Sequence, residues 1–432
     1  MSEHGIPKNI PFRTLGPVSG AVKGLIIALL ALGGVALVVS IAAGDPARLW
    51  SSLLFNWFFW SSLAIGMVMF AVALHLTAAD WAWSVRRFAL AGVAFLPIAF
   101  VLMPIITYFG REYLFHHWLH ATGDPVIEAK SAWLNLPSVL IRDFIAVGVL
   151  FSLAIVFAKN ALRADIKELP AGHRPFLQGW ITSGWRGTAL DEARRSHSTM
   201  NYVGVVAGIV YAFAWGIVAV DLGMSLTPHW FSTMYPVAFF ITAFHGGIAA
   251  TVIAIVLLRP RLRLEDFITV RQFHDIGKLL FAFSVFWMYI NWSQYIVIWY
   301  GQLPHEQEFF INRLNEPFRS LTGLVVLSVF VIPFFGLLTR PPKKVPGILA
   351  GFAVLILAGH WIERYLLVFP SLHEGGPLPF GIAEVGIGLG FMGLFLACYT
   401  WFVRSFPMLP SPATLAAQES VLVEVPVSTS KA

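Results

Sequence analysis

Residues 273–301 read FHDIGKLLFAFSVFWMYINWSQYIVIWYG. From Leu279 to Tyr300 the run is long enough to cross a bilayer as a helix and apolar enough to partition there. Yet it carries Ser284, Asn291 and Gln294 inside the span and His274, Asp275 and Lys278 at its entrance. Hydrocarbon gives such groups no hydrogen-bond partner, so they must face other protein segments or a hydrated cavity. Ser284 and Asn291 are seven residues apart, two helical turns, and share a face, with Gln294 and Tyr295 flanking Asn291. One stripe of this helix is polar. Interhelical hydrogen bonding that merely ties the bundle together is the competing reading, strongest for Ser284 taken alone.

The rest of the chain resembles this stretch in character. Its 432 residues are 57% hydrophobic and only 12% charged, the balance of a polytopic membrane protein. Apolar runs fall at about 24–43, 57–79, 88–109, 137–158, 201–221, 234–258, 277–300, 320–338, 346–368 and 382–403, which predicts an all-α protein with ten transmembrane helices. The first run has small residues, Ser40 and Ala42, after its apolar stretch, but its polar leader is long for a signal peptide, so it is expected to be retained as a span. The single cysteine, Cys398, cannot by itself hold an iron–sulfur cluster, a thiolate zinc site or a disulfide, and any such centre belongs to a partner. The net charge of +6 comes from short loops between apolar runs, which orientation in the membrane explains better than nucleic-acid binding.

Of the 29 lysines and arginines, 22 fall in the N-terminal segment, the alternate loops that follow the even-numbered runs and so share its side, and the C-terminal part. The positive-inside rule then puts both termini in the cytoplasm and the loops holding His116 and His305 outside. An internal repeat follows the same topology. SAWLNLPSVLIRDF (131–144) leads into the fourth run and INRLNEPFRSLTGL (311–324) into the eighth, sharing Leu-Asn-x-Pro. His75 and His245 sit on the second and sixth runs, both directed inward. The expectation is two parallel four-helix bundles plus two peripheral helices, divided as 1–56, 57–222, 223–340 with 341–368, and 369–432. Inverted repeats with helices broken at the midplane, common in secondary transporters, are not evident, and transport stands as the alternative reading.

Charged groups gather toward the outer ends of the spans: Arg142 and Asp143 on the fourth, Asp221 on the fifth, Arg319 on the eighth, and His360, Glu363 and Arg364 at i, i+3 and i+4 on the ninth. Intramembrane charge is costly and tends to be paired or functional. For Arg319, Arg364 and Glu384, snorkelling to the interface is the favoured reading. Arg142 and Asp143 lie deeper and admit either function or structural pairing. Arg142, Asp143, Asp221, Asn291, Gln294 and His360 form a candidate outer cluster around a shared cavity. His75, Asp80, His245, Asp275 and Lys278 are candidates for a proton path, although Asp275 and Lys278 at i, i+3 suit a simple interfacial pair. Haem held by two histidines is not expected, because His75, His245 and His360 sit at different depths, and no metal ligand set is assigned. The C-terminal ESVLVEVPVSTSKA has no span and is expected to be an extended arm docked on a partner or on the chain's own cytoplasmic face, or else disordered. The loop from Lys159 to Thr199, with its Trp and Arg, suits the membrane interface.

Ten spans, the outward LNxP entries and above all FHDIGKLLFAFSVFWMYINWSQYIVIWYGQLPHE resemble the polysulfide reductase membrane subunit (NrfD-like) family, and within it the ActF-type subunits of bacterial alternative complex III. The resemblance runs to about Pro410 and is most specific in the HDxGK entrance and SQYxxIWY exit of the quoted helix. It implies a subunit of a respiratory quinol:electron acceptor oxidoreductase of the bacterial inner membrane. This chain would then contribute quinone interaction, a proton path, or anchorage. The implied partners are a paralogous NrfD-like subunit, a multihaem cytochrome c and an iron–sulfur subunit that carry the haem c and clusters, with a terminal oxidase as a further one. Quinol oxidation releases two electrons and two protons, so a site for it needs an apolar slot, polar groups for the ring oxygens, and an ionisable proton acceptor.

Overall fold

The computed structural model describes residues 10–120, 123–167, 169, 175–373 and 375–423. Ten helices are long and apolar enough to span a membrane: α1 Gly20–Ala42, α2 Pro46–Leu76, α3 Arg86–Phe109, α4 Leu136–Lys167, α5 Ala189–Leu226, α6 Met234–Leu258, α7 Val270–Gly301, α8 Arg319–Leu337, α9 Pro346–Leu372 and α10 Ile382–Ser405. Among the described residues there is no strand. A multi-pass, all-helical membrane protein is therefore the architecture.

Local chemistry sets the ends further out than hydropathy does. α2 starts at Pro46, not near 57, because Asp45 caps it, accepting from the Arg48 amide at 3.0 Å, and Pro46 supplies a preset first residue. The polar Ser51, Ser52 and Asn56 diluted this turn in the sequence, yet all three are buried. Asn135 of the first LNxP copy caps α4, its side-chain Oδ1 accepting from the Ser138 amide at 3.0 Å. Capping boxes at Thr188/Asp191 and Thr269/Gln272 start α5 and α7. The divisions expected at 56/57 and 368/369 consequently fall inside α2 and α9.

Three helices deviate from regular α geometry: α3 tightens to a 3-10 stretch at Ala91–Phe95, and α8 and α5 carry π-turns. A π-turn at Leu327–Val331 in α8 precedes Pro333, whose missing N–H leaves a carbonyl in the preceding turn unsatisfied. A second π-turn, Ala219–Gly223, ends α5 and contains Asp221.

α2 is the hub, buried along nearly its whole length and packed against α3, α5, α6, α9 and α10. Its crossing with α6 is set by glycine: a Cβ on Gly66 would collide with the Ala243 carbonyl, and one on Gly247 with the Gly66 backbone. α1 and α10 meet in the same way at Gly33 and Gly390 and form a peripheral pair. α4 pairs extensively with α5, and α6 with α7 and α9, while α8 packs on α9.

As far as Val423, the C-terminal segment is helical and not extended. Pro412–Val423 is a helix packed on α4 and α5, anchored where Asp165 accepts from the Ser411 amide (2.8 Å) and the Thr414 hydroxyl (2.6 Å). Asp165 also pairs with buried Arg87, whose guanidinium donates to the Ala161 carbonyl as well. Residues 424–432, and 170–174 of the basic loop, lie outside the described residues.

Candidate functional site

The two polar clusters expected to share one cavity are separate. Arg142 and Asp221 come together: Arg142 Nε donates to Asp221 Oδ2 at 2.6 Å, and Trp133 Nε1 donates to Oδ1 at 2.8 Å. Arg142 Nη1 donates to Ser138 Oγ at 2.9 Å, and the guanidinium lies 3.8 Å from the Trp133 ring centroid. Asp143, one residue on, turns inward; it is 1% exposed and neither carboxylate oxygen has a partner among the described residues. This group belongs to α4 and α5.

Asn291 and Gln294 instead border a cavity of about 460 Å³ among α6, α7, α8 and α9, closed over by a short helix, Pro304–Leu314. Its walls are largely aromatic and aliphatic, with Phe239, Trp287, Tyr295, Phe309 and Phe310 prominent. The polar lining is sparse: Asn291, Gln294, Arg313, Thr322, Glu363 and Arg364, with Tyr235. Asn291 spends its amide on the Trp287 carbonyl one turn back, at 2.9 Å. Gln294 Nε2 and Arg364 Nη1 are buried donors without a partner among the described residues. Arg313 fastens the covering helix to the end of α9, donating to the Leu366 carbonyl (2.9 Å) and Ser371 Oγ (2.9 Å), and burial lowers its pKa to about 9.

Arg364 does not snorkel. It is 1% exposed, lies 3.9 Å over the Phe239 ring, and donates to the Phe239 carbonyl at 2.9 Å. Glu384 does not snorkel either: it is fully buried and forms a bidentate pair with Arg48, at 2.7 and 2.8 Å. Its partner was hidden because Arg48 reads as loop when α2 is taken to begin at 57. Arg319 is exposed, as snorkelling requires.

Glu363, absent from the sequence-derived site, joins the cavity to the protein interior. Its side chain is 12% exposed. Oε1 accepts from Trp287 Nε1 at 3.0 Å and from Thr242 Oγ1 at 3.1 Å, and Oε2 lies 2.8 Å from His360 Nδ1. His360 Nε2 is 3.0 Å from His245 Nδ1, and His245 Nε2 is 3.2 Å from Ser284 Oγ. The depths of His245 and His360 therefore match, contrary to expectation. The cause is the length of α9: it runs to Leu372, which sets His360 twelve residues from that end, against eleven from Met234 to His245. Because the rings bond each other directly, there is no room for an iron between them as axial ligands.

This row of groups has two fully bonded proton orders. With Glu363 ionised, Ser284 donates to His245, His245 to His360, and His360 to the carboxylate. With Glu363 protonated, every donor points the other way, and each imidazole carries its proton on its other nitrogen. Inward transfer starts from the second order: Glu363 gives its proton to His360 Nδ1, His360 Nε2 gives its own to His245 Nδ1, and His245 Nε2 gives its own to Ser284 Oγ. The Ser284 hydroxyl proton leaves on the side away from the cavity, which restores the first order. The imidazole protons must return to their other nitrogens before the row can pass another.

The other proton-path candidates do not join it. His75 Nδ1 bonds Arg86 Nη1 at 3.1 Å, near His197, at the far end of α2. Asp80 is exposed in the loop after α2. Asp275 pairs with Lys278 at 2.7 Å, with Arg271 nearby, as an interfacial cluster would. Lys278 and Ser284 are six positions apart, about 9 Å along the helix at 1.5 Å per residue. Among the described residues, no group of three or more His, Cys, Asp or Glu side chains is arranged to hold a metal ion.

A scan against protein-family models finds no match for the chain, and no curated protein matches it.

Proposed function

We propose that the chain is the quinone-interacting membrane subunit of a respiratory quinol:electron acceptor oxidoreductase, of the NrfD-like family that the sequence resembles. The observation that carries this reading is Glu363, which opens on an apolar, aromatic cavity on one side and begins a two-histidine row on the other. The residues fit a quinone ring: a flat aromatic slot, two unpartnered buried donors in Gln294 and Arg364 for its oxygens, and a carboxylate within the same wall. When bound, a quinol would supply two electrons and two protons. Gln294 and Arg364 orient the ring oxygens, Glu363 accepts a proton, and His360, His245 and Ser284 carry it inward. Haem c and iron–sulfur groups that would take the electrons would be held by partner subunits, since this chain's one cysteine is Cys398.

The chain lies in a bacterial inner membrane with both termini cytoplasmic, an orientation supported by the 22 of 29 basic residues on one side. The cavity is then near the outer face. Two parallel four-helix units, α2–α5 and α6–α9, are part of this proposal; the close crossing of α2 and α6, the leading helix of each, supports it. A paralogous membrane subunit, a multihaem cytochrome c, an iron–sulfur subunit and a terminal oxidase are the proposed partners.

Photolabelling of the intact complex with an azidoquinone tests the reading. Label on α7 between Trp287 and Tyr295, or on α9 near Glu363, displaced by excess quinone, is expected. Label confined to another subunit would leave this chain a scaffold. Solute uptake by the isolated chain in vesicles would favour the transporter.

A further inference from the structure

A groove of about 540 Å³ lies between the start of α1, the end of α10 and the segment at Pro175 and Phe176. Lys23 from α1 and Arg404 from α10 border it, with Thr400, Trp401 and Ser405 beside them and Ile26 and Ala397 on its apolar side. No acidic side chain is among its lining residues, and neither Lys23 nor Arg404 forms an ion pair with another described residue. Arg48, Arg87 and Arg142, by comparison, each pair with a carboxylate of the bundle. Among the described residues, then, two cations without a counter-charge sit at the mouth of an apolar furrow.

The furrow continues along helices that face lipid. α1 is the least buried of the ten spans, and Leu25, Ile27, Leu32, Val35 and Val38 are exposed along it. Trp401 is 40% exposed at the same level as Arg404, the position of an interfacial aromatic.

We propose that this groove binds one anionic phospholipid, its phosphate between Lys23 and Arg404 and an acyl chain along the outer seam of α1 and α10. Charge complementarity selects the occupant: a basic pocket between transmembrane helices on the cytoplasmic side attracts anionic headgroups, whereas a zwitterionic lipid gains little from two cations. The bound lipid would cement the peripheral pair, which touches the bundle mainly through α10 and α2. The inference is independent of the quinone reading and uses the orientation only to name the leaflet.

Native mass spectrometry of the protein from nanodiscs of mixed phosphatidylglycerol and phosphatidylcholine provides the test. One tightly retained phosphatidylglycerol is expected, with a preference over phosphatidylcholine that falls as salt rises. The Lys23→Gln/Arg404→Gln double variant, changed only at exposed positions, should lose about 30-fold of that preference, taking each basic residue at roughly 1 kcal/mol. The Lys23→Arg/Arg404→Lys variant should keep it. Inorganic phosphate at millimolar concentration should leave the lipid bound; displacement by it would mean a bare anion site and overturn the proposal. Equal retention of both lipids by the wild-type protein, at any salt, would also overturn it.

Discussion

The α4–α5 pair and the helices α6–α9 both bring charge to the end of the bundle where α5, α7 and α9 finish, but they treat it oppositely. On the α4–α5 side, Arg142 and Asp221 satisfy each other, with Trp133 and Ser138 taking up the remaining atoms. On the α6–α9 side, Glu363 and Arg364 are neighbours in sequence, yet among the described residues no ion pair joins them, and both face an aromatic cavity. A buried cation that has spent its donors on a carboxylate is structure. One that keeps a nitrogen free beside a cavity is available to a ligand. The same chemistry thus serves two ends, decided by whether the partner lies within the chain.

The comparison breaks most visibly at its ion pair. Arg142→Leu leaves Asp221 buried and uncompensated, at a cost of about 3–5 kcal/mol, so assembled complex recovered from membranes should fall sharply. Arg364→Leu removes a cation without orphaning a carboxylate; the complex should assemble and lose quinone-analogue binding, measured by titration. If both variants assembled equally well, the distinction between closed and open charge would fail.

His245→Phe interrupts the row behind Glu363 while filling its space. Turnover in assembled complex should drop about 10²-fold, at the lower end of what acid–base groups contribute, with quinone-analogue affinity unchanged. Gln294→Leu should weaken the analogue by roughly fivefold, one hydrogen bond of about 1 kcal/mol, and leave thermal stability equal or higher because an unpartnered buried donor is gone. The smallest effect belongs to Asp143→Asn. That carboxylate is buried outside the cavity, so its removal should leave turnover unchanged, as assayed with quinol in the purified complex; a slowed enzyme would move the functional boundary onto α4.

Much of this arrangement is legible in the residues. The Ser284–Asn291–Gln294 stripe predicts a helix with one polar face, and that face meets His245 at Ser284 and the cavity at Asn291 and Gln294. The i, i+3, i+4 spacing of His360, Glu363 and Arg364 predicts a shared face too. What hydropathy hides is length. Polar residues at Ser51, Ser52 and Asn56 mask the first turns of α2 and with them the Arg48–Glu384 pair. The last turns of α9, past residue 368, set the depth of His360 and hence its contact with His245. Side-chain direction is also invisible to counting: adjacent Arg142 and Asp143 diverge, one to Asp221 and one into the interior. Glu363 went unassigned because its partners, Trp287, Thr242 and His360, come from three helices that no local spacing relates.

The central claim is that Glu363 takes the proton from a ligand in the α6–α9 cavity. Glu363→Gln keeps the shape and the bond from Trp287 while removing the ionisable oxygen. Measured as quinol turnover in fully assembled complex, the account predicts a loss of about 10²–10⁴-fold, the range for a positioned acid–base group, with quinone-analogue binding retained. Wild-type turnover in that variant would contradict it.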